Sequence, residues 1–356
     1  MSTRTRFIPM AALMLALAVV PPVIAGGGRE APDAAGPARE AGTHGTAGNG
    51  GPREPLQPLV IGMMPAVDSV PLIVAHAEGF YEDEGLTVTL ELFRDQLYRE
   101  AALQSNAIDA TVTDLVNALR AWENGADYRV LSATQGIFSF VTAPGSSLRN
   151  PDDWPSAPQR VPTGLLEDSI IFYVTERMLE QSGLDPSRVE IVPTTQIPVR
   201  LEMLVAGRLE AAVLPEPVTR MAVAAGAHEF LSTDALFDWT PGVLLATGTA
   251  LSTKPEELHA LLRAYDRAVA AMNADPDRYR PVIVEYAGFP PPTTATMRLP
   301  QYYPAMPPDP RHIADVASWM IGRGLLRTAP LYEEIVAAVP DQYSHMTSAI
   351  PCAGCN

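Results

Sequence analysis

Hydrophobic and polar positions alternate along the first half of the chain with two different periods. Short apolar or alternating runs, typical of strands, are separated by longer stretches with apolar residues on one helical face. This βαβα order predicts a parallel sheet with right-handed crossovers. The predicted strands are residues 59–63, 87–93 and 108–112, and the predicted helices are 71–79, 97–105 and 114–124.

The second half repeats this order. A strand that ends in Leu214 and Pro215 follows two shorter ones, and residues 243–247 resemble a strand that returns to the first lobe. From Pro255 onward the pattern is mainly helical. The remaining predicted elements are strands at 160–163 and 189–192 and helices at 169–182 and 198–206.

One segment occurs twice, about a hundred residues apart. Residues 103–112 and 204–213 each close an apolar helix with a turn residue, Asn106 or Gly207. An aliphatic residue, an acid and two small residues then enter a buried strand. Two equivalent βα units predict two similar lobes with a cleft between them, an arrangement that suits a protein closing on a small molecule.

The N-terminus has the pattern of a secretory signal. Arg4 and Arg6 precede a mostly apolar run, and small or aliphatic residues end at Ala25. Residues 1–25 are therefore interpreted as a signal peptide, with an uncleaved membrane anchor as the alternative. A lipoprotein signal would need a cysteine where Gly27 stands. The Gly-, Ala- and Pro-rich residues 26–56 that follow are predicted to be a disordered tether.

The charge balance bears on possible partners. The chain has 41 acidic and 25 basic residues, a formal net charge of −16. Such a surface should repel nucleic acid and anionic lipid. Cys352 and Cys355 form a C-x-x-C at the C-terminus, for which a small disulfide loop is the simplest interpretation, since a zinc site needs two further ligands.

Several segments resemble a known family. Residues 63–86, with Gly79-Phe-Tyr-Glu-Asp-Glu-Gly-Leu as their most specific part, look like the opening of periplasmic substrate-binding proteins of the nitrate, sulfonate, taurine and thiamine-precursor group. Residues 182–192 and 204–217 are similar to the second lobe of that group, and the resemblance covers about residues 57–345.

The resemblance implies a type 2 periplasmic-binding-protein fold, α/β with two lobes, a hinge and an interlobe cleft. Residues 57–140 and 245–345 would form lobe one, residues 141–244 lobe two and residues 346–356 a tail. It also implies a solute-binding component of an ABC importer: a monomer without cofactor, periplasmic or extracellular, with a small-molecule ligand and with the permease and its ATPase as partners.

Ligands of open α/β sheets lie beyond the carboxyl ends of the strands. Carried over from the family, that rule predicts cleft residues in five loops. The candidates are Pro65, Asp68, Ser69, Asp114 with the adjoining Thr113, Gln135 with Gly136, Glu167, Asp168, Ser169 and Glu216. Asp68, Asp114 and Asp168 precede helices, so each is alternatively an N-cap. Glu216 lies between two prolines, which favours a functional acid. Trp239 is either a ligand-stacking residue or a hinge plug.

The acids depart from the anion-binding members of the group, which use hydroxyls, backbone N–H groups and often an arginine. A carboxylate at a helix start competes with an anion for the same donors. We therefore expect a neutral or cationic polar ligand, for example an aminopyrimidine thiamine precursor. If the acids are caps turned away from the cleft, an anion becomes possible again.

Two other functions fit the resemblance. One related branch makes the thiamine pyrimidine with a lysine-bound pyridoxal phosphate, and the single lysine of this sequence is Lys254. The other is a ligand-sensing domain of a membrane receptor. The sequence shows no H-E-x-x-H, G-x-S-x-G or P-loop pattern, which argues against several common catalytic classes.

Overall fold

The computed structural model describes residues 55–338 of the chain. The predicted signal peptide, nearly all of the predicted tether and the C-terminal cysteines lie outside the described residues. Within the described part, no helix is long and apolar enough to cross a membrane.

Ten strands of the described region form two five-stranded sheets. The first sheet has the order β2-β1-β3-β10-β4 and the second β7-β6-β8-β5-β9. The strands are β1 (Leu59–Met63), β2 (Val88–Leu92), β3 (Ala110–Asp114), β4 (Tyr128–Thr134), β5 (Phe138–Thr142), β6 (Val161–Leu165), β7 (Val189–Pro193), β8 (Ala211–Pro215), β9 (His228–Ser232) and β10 (Gly242–Thr247).

Helices connect the strands and brace the sheets, with short 3-10 turns at Val67–Ser69, Pro151–Ser156 and Pro186–Arg188. The α-helices are α1 (Val70–Ala77), α2 (Phe80–Asp83), α3 (Gln96–Gln104), α4 (Leu115–Glu123), α5 (Ile170–Gln181), α6 (Ile197–Val205), α7 (Val218–Ala224), α8 (Thr233–Leu236), α9 (Gly248–Thr253), α10 (Pro255–Ala274), α11 (Pro276–Ala287), α12 (Thr293–Thr296), α13 (Pro310–Gly322) and α14 (Tyr332–Ile335).

Each sheet combines parallel and antiparallel pairs in the same way. In the first sheet β1 pairs in parallel with β2 and β3, and β10 runs antiparallel between β3 and β4. In the second, β6 pairs in parallel with β7 and β8, and β5 runs antiparallel between β8 and β9. The second sheet is therefore built from five consecutive strands, β5 to β9, whereas the first sheet combines β1 to β4 with the later strand β10.

Three apolar cores cover the faces of the two sheets. Val112 and Leu244 pack in the first core with residues of α1, α10 and α11. Leu245 packs in the second core with α4 and α13, and this core continues to the face of the second sheet that carries Phe140 and α5. The third core lies on the other face of the second sheet, under α6 and α7. The middle core is therefore shared by both sheets.

Two crossovers join the sheets and lie side by side. The first leads from β4 to β5 and the second from β9 to β10. The Thr240 hydroxyl donates to the Thr134 carbonyl at 2.8 Å and accepts from the Gly136 N–H at 3.2 Å. The Phe138 N–H donates to the Thr233 hydroxyl at 3.0 Å. Both crossovers therefore form one hydrogen-bonded connection, while the lobe boundaries given above remain predictions.

The third predicted strand lies two residues further along the chain than its apolar run suggests. Residues 108–112 are predicted, and β3 is Ala110–Asp114. Asn106 has a left-handed backbone with φ 55°, and the Asp109 carboxylate accepts the Val60 N–H at 2.8 Å. The side chain of Asp109 thus occupies a donor of β1, and pairing with β1 is registered from Ala110 onward.

Candidate functional site

The predicted site residues follow the carboxyl ends of strands in both sheets. Pro65, Asp68 and Ser69 follow β1, and Asp114 ends β3. Gln135 follows β4 at the start of the first crossover. In the second sheet, residues 167–169 follow β6 and Glu216 follows β8. These loops supply polar groups from both sheets, and three of them are linked by contacts described below.

Asp68 is the acid of lobe one whose geometry best fits a ligand contact. A methyl group placed on Gly136 would lie 3.6 Å from the Cβ of Asp68, so the β1 loop meets the first crossover. The Asp68 carboxylate accepts the Ser69 hydroxyl at 3.4 Å. The N-cap residue of α1 is Ser69, with no side-chain cap bond. Asp68 is therefore not used as the cap of α1.

The electrostatic setting of Asp68 is unusual for a carboxylate. Burial raises its pKa to about 6, although the Arg99 guanidinium and the Ser69 hydroxyl oppose this rise. The charge of Asp114 adds to the rise. A group with this pKa changes its charge near neutral pH and is most stable as an anion beside a positive charge or a hydrogen-bond donor.

Asp114, in contrast, is an N-cap. Its Oδ1 accepts the Asn117 N–H at 2.9 Å and its Oδ2 accepts the Asn117 side-chain amide at 2.7 Å. Burial raises the pKa of Asp114, while the cap bond from Asn117 opposes the rise. Both carboxylate oxygens already have partners within the protein.

Arg99 is the positive charge that sequence reasoning missed in lobe one. Only 5% of its surface is exposed, and its Nη1 and Nη2 donate to the Val112 carbonyl at 3.1 Å and to the Thr113 hydroxyl at 3.0 Å. It is placed by α3, on the helix turn that precedes the repeated segment. The available signal was an arginine in the helix that precedes a strand ending in an acid, but a single arginine in an amphipathic helix does not stand out.

The loop before α5 contacts lobe one. Glu167 is exposed, and Asp168 has a left-handed backbone with φ 61°. The N-cap of α5 is Ser169, whose hydroxyl also donates to the Leu166 carbonyl at 2.5 Å. Arg120 of α4 donates to the Asp168 carbonyl. The loop thus joins the two halves through its backbone.

Glu216 lies in a buried ion network. Its surface is 0% exposed, and its Oε1 accepts from Arg220 Nε at 2.9 Å and from Arg298 Nε at 3.2 Å. Its Oε2 is buried and has no hydrogen-bond partner in the part of the chain that the structure describes. Burial raises the pKa of Glu216, and both guanidinium groups oppose this rise. The acid therefore connects β8 to two arginines that sequence reasoning missed.

Glu229 completes that network from the edge strand β9. It accepts from Arg220, from Arg298 and from the Ser139 hydroxyl, the last at 2.7 Å. Burial alone would raise the pKa of Glu229, but the hydrogen bonds from Arg220 and Ser139 bring it below its ordinary value. Glu216 and Glu229 thus lie beside arginines, and an excess of negative charge does not by itself decide the ligand class.

Trp239 is occupied by packing at the second crossover. Its ring stacks on His312 of α13 at 3.9 Å between centroids, with 6° between the planes. Tyr173 lies against the same indole at 6.4 Å. Burial lowers the pKa of His312. Of the two interpretations of Trp239, the packing contact at the hinge is the one seen.

Lys254 lies at the opposite ends of the strands from the predicted site. Its Nζ donates to the Asp109 carboxylate at 2.8 and 2.9 Å and to the Pro58 carbonyl at 3.0 Å. Asp109 precedes β3 and Pro58 precedes β1, so the ion pair marks the amino ends of these strands. This lysine is not placed to hold a cofactor at the loops that carry Asp68 and Glu216.

A cavity of about 510 Å³ opens between α3 and α4. Arg99, Asn117, Arg120 and Tyr128 are among the residues that line it. Of the predicted cleft residues, Thr113 lines it too, whereas Asp68 and Glu216 do not. Within residues 55–338, no group of three or more His, Cys, Asp or Glu side chains is arranged to hold a metal ion.

Comparisons with known proteins agree with this architecture. The family model described as NMT1/THI5 like matches residues 66–279. No curated protein sequence matches the chain significantly. Many solved structures match the fold of this chain. The three described below are each less than 20% identical to it.

Three of these structures illustrate the likeness. The ligand-binding component of an ABC-type import system from Staphylococcus aureus, with zinc bound, is 15% identical with a TM-score of 0.69, and the match covers 81% of this chain and 98% of that one. The nitrate-binding protein of Synechocystis is 13% identical, TM-score 0.66, with 82% and 88% covered. The aliphatic sulphonate-binding protein of Escherichia coli is 16% identical, TM-score 0.64, with 79% and 92% covered. The predicted α/β fold of the periplasmic binding proteins is thereby confirmed.

Proposed function

The chain belongs to the NMT1/THI5-like family, and from this premise we propose that it is the solute-binding component of an ABC importer. The observation that carries the proposal is the arrangement of the two sheets. Polar loops follow the carboxyl ends of β1, β4, β6 and β8, and two adjacent crossovers join the halves. Such a fold captures a ligand between lobes that close by hinge motion. The resemblance to binding components of import systems supports the same function.

The ligand in this proposal is a small polar molecule, neutral or cationic, such as an aminopyrimidine thiamine precursor. Asp68 supports this class, because its half-buried carboxylate is not used as a helix cap and accepts one hydroxyl at the long distance of 3.4 Å. An amino or ammonium group near it would stabilise the charged form. The arginines beside Glu216 contribute less to this choice, since they neutralise that acid within the protein.

The remaining parts of the proposal follow from the role. The mature protein would act outside the cytoplasmic membrane, in the periplasm or extracellularly, as a monomer that delivers its ligand to a permease and its ATPase. Ligand binding would shift an existing equilibrium toward the closed form. An enzyme of the pyridoxal-phosphate type is disfavoured by the ion pair of Lys254 with Asp109, far from the site loops. A receptor domain would bind its ligand in the same way and differ in the partner.

Thermal shift of the mature chain, residues 26–356, tests the proposal. The compounds are the aminopyrimidine precursor of thiamine, simple amines, taurine and nitrate. A ligand at a hundred times its dissociation constant adds about 2.7 kcal/mol, which should raise the melting temperature by roughly 5 °C. A shift with the pyrimidine or an amine supports both function and ligand class. A shift with taurine or nitrate alone supports the function and contradicts the ligand class. If no compound gives a shift and mass spectrometry finds no small molecule in the denatured protein, the proposal fails.

A further inference from the structure

Residues 298–306, between α12 and α13, form an irregular segment that contacts both halves of the molecule. We name it the strap. Its sequence, Arg-Leu-Pro-Gln-Tyr-Tyr-Pro-Ala-Met, has neither strand nor helix periodicity, so no element was predicted there. One end contacts the second sheet and the other end contacts the first, as the hydrogen bonds below show.

The first end is held by Arg298. Its Nε donates to Glu216 at 3.2 Å, and its Nη2 donates to the hydroxyls of Ser232 at 3.0 Å and Ser139 at 3.2 Å and also to Glu229. Its Nη1 lies 3.3 Å from the Asp234 carboxylate. All five partners belong to β5, β9, α8 or the loop after β8. The partners of Arg298 therefore belong to the second sheet and to the loop and helix that adjoin it.

The other end is held by the first half. The Tyr302 hydroxyl donates to the Val67 carbonyl at 2.7 Å, and Asn273 of α10 donates to the Tyr302 carbonyl at 2.8 Å. The Ala133 N–H of β4 donates to the Met306 carbonyl at 2.7 Å. Tyr302 and Ala305 are buried in the first core. Only Leu299, Pro300 and Gln301 lie between these anchors.

The strap also passes three loops of the proposed cleft. Arg298 meets Glu216, Tyr302 meets Val67 beside Asp68, and the Tyr303 N–H donates to Gln135 Oε1 at 3.0 Å. The Tyr303 side chain is 44% exposed, although the neighbouring Tyr302 is buried. The backbone of Tyr303 is held at Gln135, and an exposed aromatic ring at this position is suited to stacking on a planar ligand.

We propose that the strap is a wall of the ligand cleft and that Arg298 is a positioning residue, which holds this wall against the second sheet and stabilises the closed arrangement of the lobes. That the strap lines a ligand cleft rests on the proposed function. That Arg298 holds the strap against the second sheet does not. Opening the lobes must break the contacts of Arg298 or straighten the three residues that follow it.

A second connection explains why the lobes would open rather than separate. Helix α13 lies against the middle core and reaches α5, where Tyr173 donates to Asp315 at 2.6 Å and Trp319 donates to Glu176 at 2.7 Å. The strap instead joins the first core, through Tyr302, to the ion network of Glu216 and Arg220 on α7, through Arg298. Loss of Arg298 leaves α13 and the two crossovers intact.

Interlobe distances measured by pulsed electron spin resonance test the strap directly. Spin labels are placed at the exposed positions Glu82→Cys on α2 and Ala224→Cys on α7, in the full mature chain with Cys352→Ser and Cys355→Ser. Without any ligand, Arg298→Met should give a longer or broader distance distribution than the parent. Arg188→Met is the matched control, because among residues 55–338 Arg188 donates only to carbonyls of predicted lobe two, those of Trp154, Ala157 and Pro158. That control should destabilise the protein without changing the distance.

A distribution for Arg298→Met that equals the parent's, or an equal change in Arg188→Met, overturns the proposal. Should Arg298→Met fail to fold, Asp234→Asn removes one outer partner and should change the distance in the same direction by less. Titration with the aminopyrimidine precursor and with taurine is the second readout. Arg298→Met should lower the affinity for whichever probe binds the parent, in proportion to the fraction of molecules that opens. Arg188→Met should leave this affinity unchanged. If neither probe binds the parent, the proposed function loses support, while the distances still decide on the strap.

Discussion

Arg99 and Arg200 make the same hydrogen bond in the two halves of the molecule. The Nη1 of each donates to the carbonyl of the residue thirteen positions later, Val112 at 3.1 Å and Val213 at 2.8 Å. Both side chains are buried. The repeat seen in the sequence at residues 103–112 and 204–213 is therefore also a repeat of side-chain geometry, in which a helix is tied to the strand that follows it.

Arg99→Met and Arg200→Met should separate a structural role from a role at the site. Each change removes two buried hydrogen bonds of a guanidinium group, so each should lower the free energy of unfolding by roughly 2–4 kcal/mol. Only Arg99 lies close enough to Asp68 to lower its pKa. Ligand affinity should therefore change with Arg99→Met and not with Arg200→Met, as measured by urea unfolding and by titration. Equal affinities in both variants would contradict a role of Arg99 at the site.

Gly62 and Gly164 occupy equivalent strand positions and should not tolerate alanine. A Cβ on Gly62 would lie 2.5 Å from the Ile108 methyl, and one on Gly164 would lie 2.5 Å from a Leu209 methyl. Both neighbours are buried, so overpacking should lower the free energy of unfolding, measured with urea, by about 1–3 kcal/mol. Gly322 in α13 has open space around its Cβ position, and Gly322→Ala should be neutral or stabilise by up to about 1 kcal/mol. The same loss at all three positions would show that close approach is not the cause.

Asp68 should make the stability of the ligand-free protein depend on pH. Its pKa is about 6 in the folded state and roughly 3.9 in an unfolded chain. Between these values the folded protein holds a proton that the unfolded chain has lost. The free energy of unfolding should thus fall as the pH rises from about 4 to about 6, by roughly 3 kcal/mol, and then stay level with respect to this group.

Asp68→Asn should remove that part of the dependence. The measurement is the difference between the parent and Asp68→Asn in urea unfolding at a series of pH values, since other buried acids titrate alike in both. A difference that is constant from pH 4 to pH 7 would show that Asp68 is ionised throughout and is not perturbed by burial.

Glu216 should behave as a structural acid as well as a cleft residue. Glu216→Ala leaves Arg220 and Arg298 in a partly buried network with one acid fewer, so we expect the free energy of unfolding to fall by about 2 kcal/mol or more. Glu216→Gln keeps the shape and one acceptor and should cost less. Thermal unfolding of the ligand-free variants tests whether Glu216→Ala loses more stability than Glu216→Gln. No loss in Glu216→Ala would favour the view, taken from its flanking prolines, that Glu216 serves the ligand alone.

Periodicity predicted elements with a continuous apolar face, such as β1 and α1, whereas β4, β5 and β9 were not among the predicted strands. Residues 59–63 coincide with β1, and α1 ends at Ala77 just before Gly79, which has a φ of 72°. The strap could not be predicted from periodicity. It is held in place by the buried ring of Tyr302 and by ion pairs with residues far away in the sequence. The partners of Asp68 and Glu216 were missed for the same reason: Arg99 and Arg298 lie 31 and 82 positions away in the sequence.

Candidate acids were easier to find than to interpret. Asp114, Asp168 and Ser169 all precede a helix, and the sequence allows each to be a cap. Asp114 and Ser169 cap α4 and α5, whereas Asp168 adopts a left-handed backbone and offers its carbonyl to Arg120. Which oxygen is free for a ligand depends on hydrogen-bond geometry that residue types alone do not fix.

Calorimetric titration of the mature chain and its Asp68→Asn variant with the aminopyrimidine precursor of thiamine tests the central claim most directly. The account predicts saturable one-to-one binding at pH 7.5 by the parent. Binding by Asp68→Asn should be weaker by roughly tenfold or more, because a hydrogen bond to a charged group contributes about 1.5–3 kcal/mol. Absence of binding by the parent together with tight binding of taurine or nitrate, or equal affinity of the two proteins for the pyrimidine, would contradict capture of a neutral or cationic ligand through Asp68.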